Sequence, residues 1–336
     1  MNKSQSEQAL QIKSVAIVGA GVIGSGWAAR ILACGLKVRI WDPNPESFGA
    51  SRKAIERAWP ALFARGIANS SLPNAPEYCE SLADACAGVE WVQEAAPENM
   101  EIKTALYQQL EPLIDQHCII ASSSSGLLPS ELQSALNHPH RLLVGHPFNP
   151  VYLLPLVELV PGSKTSPAVV DQARTFYQQL QMKPLVVRKE IEGYLSDRLQ
   201  EALWREILHL VKDDIATTAE LDDALRYGPG LRWAIMGTAL TFHLAGGAGG
   251  MRHMLEQFGP ALELPWTHLK APTLTPELIE RMVDGTASQA GDQSIAELEA
   301  LRDECLVSVM GALDKYSTQL DALSAKADST TKKKAL

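Results

Sequence analysis

A glycine-rich turn between a β-branched run and an apolar helical stretch constrains the fold of this chain more than any other feature. The segment SVAIVGAGVIGSGWAARILACG places three glycines in a GxGxxG pattern directly after a predicted strand at residues 14–19. The first glycine permits a tight turn, the second lets backbone approach a phosphate, and the third lets helix and strand pack closely. The N-terminus of the following helix would face that phosphate. The predicted contact residues are Gly19, Gly21, Val22, Ile23 and Gly24.

An acidic residue at the end of the next predicted strand indicates which dinucleotide binds. Asp42 follows the strand KVRIW (37–41) and lies eighteen residues past Gly24. A carboxylate there would accept hydrogen bonds from an adenosine ribose and repel the extra phosphate of NADP, and DPNP offers no adjacent arginine. The expected cofactor is therefore NAD. The alternative is a glycine-rich turn with an incidental helix-capping aspartate.

Short β-branched runs alternate with helical stretches over the first half of the chain. This alternation predicts an α/β fold, a Rossmann-type and mostly parallel sheet with helices on both faces. The further predicted strands are 89–95, 118–122, 141–145, 155–160 and 184–188. After Glu190 apolar residues recur at spacings of three and four, which predicts an all-α C-terminal domain. We expect an NAD-binding domain at 14–190 and a helical domain at 191–323, between disordered ends at 1–13 and 324–336.

Composition and charge exclude two classes of partner. The net charge is -9 and the pI is about 5.4, which argues against a nucleic-acid surface because phosphate binding needs clustered Lys and Arg. No segment reaches the roughly 18 apolar residues of a membrane span, and residues 1–13 lack the apolar run of a signal peptide. The five scattered cysteines contain no CxxC pair, which fits a reducing compartment. We expect a cytoplasmic protein that binds a small molecule, without a metal site.

The stretch GHPFNPVYLLPLVE (145–158) places polar residues in otherwise apolar surroundings, where an unpaired polar group is costly. His146 closes a predicted strand at its carboxyl end, which is where ligands bind in open α/β sheets. An imidazole is suited to take a hydroxyl proton as a hydride leaves carbon. Glu158, in the next strand, could fix the tautomer of His146 if the two strands bring their ends together. From spacing alone, a buried structural ion pair is an equally good interpretation.

These features together resemble the 3-hydroxyacyl-CoA dehydrogenase family over residues 14–320. The shared motifs are the GxGxxG, EAAPENMEIK, the serine run SSSSG, and GHPFNP with a glutamate twelve residues past the histidine, followed by a helical half. The resemblance implies that His146 is the general base and that Glu158 orients it. It also implies that Ser125 and Asn149 donate to the substrate oxygen at C3, and that the helical domain forms a homodimer. The alternative for SSSSG is a flexible polar turn.

The same resemblance places Glu98 and Lys103 near the nicotinamide side of the cofactor. Both residues lie in EAAPENMEIK, at the start of a predicted helix. The alternative for the two residues is a solvated ion pair at that helix start.

Two departures from the family pattern bear on the substrate. Between residues 58 and 100 one basic residue, Arg65, stands against six acidic ones, and this excess would repel the phosphates of coenzyme A. Asp197 stands in EGYLSDRLQEALWRE where the family usually has asparagine. With Glu201 and Trp204 at i+4 and i+7, it shares one helical face. A carboxylate beside indole rings favours a quaternary ammonium group.

The segment 227–260 resembles small-substrate members of the family. Within it Arg232 could bind a substrate carboxylate and Trp233 a cation. The expected substrate is L-carnitine, a 3-hydroxy acid with a trimethylammonium at C4, oxidised to 3-dehydrocarnitine. The alternatives are L-gulonate, 3-hydroxybutyryl-CoA, or a non-catalytic, crystallin-like NAD-binding protein. The tryptophans could instead pack in the core or a dimer interface, Arg232 could form a surface salt bridge, and Glu201 could pair with Arg205.

Overall fold

The computed structural model describes residues 12–298 apart from 72, 214, 268–274 and 296, together with 301 and 312. The chain divides into two compact units, with the boundary between Gln200 and Glu201. Of the predicted disordered ends, all residues except Ile12 and Lys13 lie outside the described part. Ile12 is buried, and the Lys13 N–H donates to Glu90 Oε2 at 2.7 Å.

The first unit contains an eight-stranded sheet in the order β3-β2-β1-β4-β5-β6-β7-β8. Every neighbouring pair is parallel except β6 and β7, which are antiparallel. The predicted, mostly parallel sheet is confirmed, although the two-residue edge strand β3 was not predicted. The strands are β1 Ser14–Val18, β2 Lys37–Trp41, β3 Glu77–Tyr78, β4 Trp91–Glu94, β5 Ile119–Ser122, β6 Leu142–Pro147, β7 Leu156–Pro161 and β8 Lys183–Val186.

Helices cover both faces of this sheet. Alternate residues of β1 point to opposite sides, so that Val15 and Ile17 belong to one apolar cluster and Ala16 and Val18 to another. The first cluster packs against α1, α2 and α6, and the second against α3, α4 and α5. These helices are α1 Val22–Ala33, α2 Ser47–Ala64, α3 Leu82–Cys86, α4 Met100–Leu110, α5 Pro129–Leu132 and α6 Pro167–Gln179. The next helix, α7 Ser196–Lys212, begins in the first unit and ends in the second.

The second unit is helical throughout its described part, as the sequence predicts. A small cluster of Leu240, Leu244, Ala290 and Leu298 forms its buried centre. Its helices are α8 Thr218–Arg226, α9 Pro229–Ala245, α10 Gly250–Phe258 and α11 Pro276–Ala290. Among the described residues we find no helix whose length and apolar character would let it cross a bilayer.

Two glycines bring α1 unusually close to the sheet. A Cβ built on Gly24 would lie 1.8 Å from the carbonyl oxygen of Gly19, far inside van der Waals contact. Gly19 itself has a φ of +110°, and a Cβ there would lie 2.5 Å from the carbonyl oxygen of Ala95. The first and third glycines of the motif are therefore required by packing and backbone conformation.

Replacing Gly24 by alanine should destabilise the protein, because the new methyl group forces α1 away from β1. We expect Gly24→Ala to lower the free energy of unfolding by about 1–3 kcal/mol, the usual cost of overpacking. Gly49→Ala is the matched control, since a Cβ at this α2 position meets no heavy atom within 4 Å. Gly49→Ala should raise the free energy of unfolding by about 0.4–1 kcal/mol. Urea unfolding followed by circular dichroism measures both, and wild-type stability of Gly24→Ala would contradict the close packing.

Candidate active site

The turn between β1 and α1 has the backbone arrangement that a dinucleotide phosphate requires. Gly21 is the N-cap of α1, and the first turn of that helix carries no acidic side chain. A Cβ built on Gly21 would meet no heavy atom within 4 Å, so the space in front of the turn is open. Val22 is exposed, whereas Ile23 packs partly against the core. The unpaired N–H groups and positive end of the helix therefore remain accessible to an anion.

Asp42 is held beside this turn by two backbone groups. Its Oδ2 accepts from the Ala20 N–H at 2.7 Å, and its Oδ1 accepts from the Asn44 N–H at 2.9 Å. Helix α2 begins at Ser47, and its N-cap is Glu46, so the helix-capping alternative for Asp42 is wrong. A cavity of about 710 Å³ opens beside Asp42 at the carboxyl ends of β1, β2 and β4. Its lining includes Trp41, Pro43, Ala95, Ala96 and Ile102.

Lys103 is fully buried, so the solvated-pair alternative is wrong for this residue. Its Nζ lies 2.6 Å from Glu94 Oε1 and 3.1 Å from the carbonyl oxygen of Ala96. The other oxygen of Glu94 accepts from the hydroxyls of Tyr107 and Ser122, each at 2.6 Å. Lys103 and Glu94 thus form a buried ion pair at the end of β4. Sequence reasoning missed Glu94, although an acidic residue at the end of an apolar strand is itself a signal.

Glu98 anchors the serine loop, which we define as residues 123–127. Its Oε1 accepts from Ser124 Oγ at 2.6 Å and from the N–H groups of Ser125 and Gly126, both at 2.9 Å. Burial acts to raise the pKa of Glu98, but the hydrogen bonds of Ser124 and Gly126 and the charge of Lys103 outweigh it, so this pKa is lowered. The loop is therefore held by an ionised carboxylate, and the exposed Ser125 is presented at its tip.

His146 and Glu158 face each other across the antiparallel pair β6 and β7. They are direct register partners, and His146 Nδ1 lies 3.0 Å from Glu158 Oε2. Both residues are buried. Because an ionised carboxylate can only accept, Nδ1–H is assigned as the donor, and Nε2 of the neutral ring then carries the lone pair.

The second oxygen of Glu158 is held by the start of α7. Oε1 accepts from the N–H groups of Leu195 and Ser196 at 3.1 and 3.0 Å. Burial acts to raise the pKa of Glu158, but the hydrogen bonds of His146 and Ser196 outweigh it, and the pKa of Glu158 is lowered. Glu158 thus remains ionised, and hydrogen-bond donors hold both of its oxygens.

Asp197 lies on the other side of the imidazole. Its Oδ2 is 3.6 Å from His146 Nε2, and its side chain is 31% exposed. The sequence predicts this carboxylate at the active site, and the structure brings it to the ring nitrogen that carries the lone pair. One turn further along α7, Glu201 pairs with Arg205 at 3.1 Å, as the alternative for Glu201 predicted.

The remaining predicted site residues are solvent-accessible. Asn149 is exposed in the loop after β6, where it precedes Pro150. Trp204 and Trp233 are 50% and 38% exposed, so packing of these two rings in the core is wrong. Arg232, beside Trp233 in α9, is also exposed.

Several of the six acidic residues between residues 58 and 100 have partners within the protein. Glu90 accepts from the N–H groups of Lys13 and Ser14, Glu94 is buried with its lysine, and Glu77 pairs with Arg39. Glu98 accepts from the serine loop. Only Glu94 of the six is buried, so the other carboxylates keep this region acidic at its surface.

Two family models match the chain. The NAD binding domain of 3-hydroxyacyl-CoA dehydrogenase matches residues 14–191, and the C-terminal domain matches residues 193–291. The chain belongs to the 3-hydroxyacyl-CoA dehydrogenase family. It is an oxidoreductase whose cofactor is NAD, and the open turn at Gly21 with Asp42 beside it fits that cofactor.

Individual relatives cover almost the whole chain. An L-carnitine dehydrogenase from a Pseudomonas species is 53% identical over 302 residues, which are 90% of this chain and 94% of the relative. An L-carnitine dehydrogenase from Oceanobacillus iheyensis is 50% identical over 305 residues, 91% of this chain and 99% of the relative. The solved structure of an NAD⁺-dependent dismutase, 5-formyl-3-hydroxy-2-methylpyridine 4-carboxylic acid 5-dehydrogenase, has a TM-score of 0.71 at 29% identity. That match covers 90% of this chain and 99% of the solved one.

The lowered pKa of Glu158 predicts how its contribution to stability depends on pH. A depressed folded-state pKa stabilises the protein above the ordinary value of 4.5, and this contribution is lost as pH falls through the folded value. The deficit of Glu158→Gln in the free energy of unfolding should therefore be largest near pH 7 and shrink below about pH 4.5. Urea unfolding of the wild type and of Glu158→Gln at a series of pH values measures this deficit. Glu201→Gln, at an exposed carboxylate of α7, is the control, and a pH-independent deficit for Glu158→Gln would contradict the account.

Proposed function

We propose that this protein oxidises the 3-hydroxyl of L-carnitine to 3-dehydrocarnitine with NAD. The observation that carries the proposal is the Asp197 carboxylate, 3.6 Å from the histidine nitrogen that would take the hydroxyl proton. The names of relatives that are 50–53% identical over about nine-tenths of the chain support the same substrate.

In the proposed reaction, Nε2 of His146 accepts the proton of the 3-hydroxyl. Glu158 holds Nδ1–H, so it fixes the tautomer and stabilises the imidazolium that forms. Bound NAD⁺ would supply the acceptor for the hydride that leaves C3. Only a neutral imidazole can accept this proton, and the tautomer held by Glu158 leaves its lone pair on Nε2.

Two neighbouring polar groups would hold the substrate oxygen. Ser125 follows β5 and Asn149 follows β6, at the carboxyl edge where ligands bind in such sheets. Glu98 accepts from the N–H of Ser125 at 2.9 Å and, at 3.4 Å, from its exposed hydroxyl, which would turn from Glu98 to the substrate oxygen. We propose that both residues donate to the oxygen at C3 as its charge changes.

Residues 14–190 form the NAD-binding domain in this proposal. Backbone at Gly19, Gly21, Val22, Ile23 and Gly24 would hold the pyrophosphate. Asp42 would accept from the ribose, in the cavity that opens beside it. Glu98 and Lys103 would lie near the nicotinamide side, with Lys103 acting through its ion pairs to Glu94 and Glu98.

A trimethylammonium at C4 would be one carbon away from the reacting C3. A substrate whose hydroxyl reaches Nε2 of His146 therefore brings that cation towards Asp197. The cation has no proton to lose, so the carboxylate and aromatic faces are the means of recognising it. We propose that Trp204 and Trp233 contribute such faces and that Arg232 binds the substrate carboxylate. The exposure of these three side chains supports their availability.

We further propose that residues 191–323 serve substrate binding and homodimerisation, and that the protein is cytoplasmic. Large apolar side chains are exposed in this region, as a partner surface requires. They include Leu208, Phe242, Phe258, Leu262 and Trp266. The four cysteines in the described part of the chain are unpaired, which supports a reducing compartment.

A substrate panel with charge variants tests the proposed function. The formation of NADH is followed with L-carnitine, L-gulonate and 3-hydroxybutyryl-CoA, and the wild type should show the highest kcat/KM for L-carnitine. Asp197→Asn should raise the KM for L-carnitine by about tenfold, equivalent to roughly 1.4 kcal/mol, and change that for L-gulonate less. The reason is that only L-carnitine carries a cation for Asp197 to attract.

Glu201→Gln is the matched control, because it removes the same charge one turn further along α7 and should leave the KM unchanged. Good turnover of a rival substrate without turnover of L-carnitine would contradict the proposed substrate. Equal effects of Asp197→Asn on L-carnitine and L-gulonate would exclude Asp197 from cation recognition.

A further inference from the structure

Tyr194 is a buried residue that connects two parts of the site and has no part in the reaction described above. Its hydroxyl donates to the carbonyl oxygen of Leu127 at 2.8 Å and lies 3.5 Å from Ser124 Oγ. Its ring meets the ring of His146 edge-on, with centroids 5.4 Å apart and planes inclined by 60°. The side chain of Tyr194 therefore contacts both the serine loop and the ring of His146.

The backbone at Tyr194 has an unusual conformation that serves Glu158. The φ of Tyr194 is +46° and that of the preceding Gly193 is +69°. A residue with a Cβ adopts this left-handed region only at an energetic cost. The two N–H groups that follow, those of Leu195 and Ser196, both donate to Glu158 Oε1. The segment that positions the tyrosine ring is thus the segment that anchors the carboxylate.

The serine loop is closed by hydrogen bonds at both polar groups of Leu127. Its N–H donates to Ser124 Oγ at 3.0 Å, and that hydroxyl in turn donates to Glu98. Its carbonyl oxygen accepts from Tyr194. The first contact lies within the loop, whereas the second ties the loop to the segment before α7.

We propose that Tyr194 is a positioning residue that sets the place of Ser125 relative to the His146–Glu158 pair. The inference rests on the proposed function, in which Ser125 and His146 act on the same hydroxyl. Burial raises the pKa of Tyr194 far above its usual value, so its hydroxyl keeps its proton and remains a donor throughout the working pH range. Without that donor the Leu127 carbonyl loses its hydrogen bond to Tyr194, and the loop is no longer tied to the segment before α7.

Tyr194→Phe tests this role because it keeps the ring against His146 and removes only the hydroxyl. Tyr78→Phe is the control. Tyr78, a partly buried residue of β3, loses one hydrogen bond, its 3.4 Å contact with Ser51 in α2, away from the serine loop. Two readouts are taken: amide hydrogen exchange of a peptide covering 122–128, and steady-state kinetics with L-carnitine and NAD.

We expect Tyr194→Phe to speed exchange in residues 122–128 and to lower kcat by about tenfold, since small misplacements of a reacting group are costly. The KM for NAD and the pH dependence of kcat should stay unchanged, because the cofactor turn and the His146–Glu158 contact are untouched. Tyr78→Phe should alter neither the exchange of this peptide nor kcat.

Unchanged exchange or unchanged kcat in Tyr194→Phe would overturn the proposal, as would equal effects of the two tyrosine variants. If the wild type oxidised none of the 3-hydroxy acids, the proposed function would fail. The exchange measurement would in that case still decide whether Tyr194 tethers the loop.

Discussion

The carboxylate of Glu158 is the group on which the rest of the site depends. One of its oxygens accepts from His146 and the other from the N–H groups of Leu195 and Ser196. A buried carboxylate is stable only when such donors replace water. Because these donors come from β6 and from the start of α7, this one side chain of β7 joins three segments. The antiparallel pairing of β6 and β7 makes the contact possible, since it places His146 and Glu158 directly opposite each other.

Carboxylates at the same edge of the sheet differ in function because their partners differ. Glu94 is buried and neutralises Lys103, whereas Glu98 accepts backbone N–H groups and holds the serine loop. Asp197 keeps part of its side chain in solvent beside Nε2 of His146. In the proposed function this partly exposed carboxylate is the one that meets the charge of the substrate. Glu94 and Glu98 thus hold the structure of the site, whereas Asp197 is available to a ligand.

Local patterns in the sequence predicted the features that depend on local structure. The GxGxxG turn, seven of the eight strands and the helical second half follow from glycine spacing and hydrophobic periodicity. Strand β3 was missed because two residues carry no period, and the antiparallel direction of β7 depends on tertiary pairing. Local sequence patterns also could not predict the Lys103–Glu94 ion pair or the Tyr194–Leu127 hydrogen bond, because the tertiary fold brings these residues together. The internal partners of Glu77, Glu90 and Glu98 are invisible in a sequence for the same reason.

Chemical rescue of a histidine variant tests whether His146 is the base that Glu158 holds. His146→Ala removes the imidazole and leaves the Glu158 carboxylate anchored at its other oxygen. Formation of NADH from L-carnitine is measured with and without added imidazole. We expect the variant to be nearly inactive alone and to be rescued at a rate that follows the concentration of neutral imidazole. Oxidation of L-carnitine by His146→Ala at the wild-type rate without imidazole would contradict this expectation.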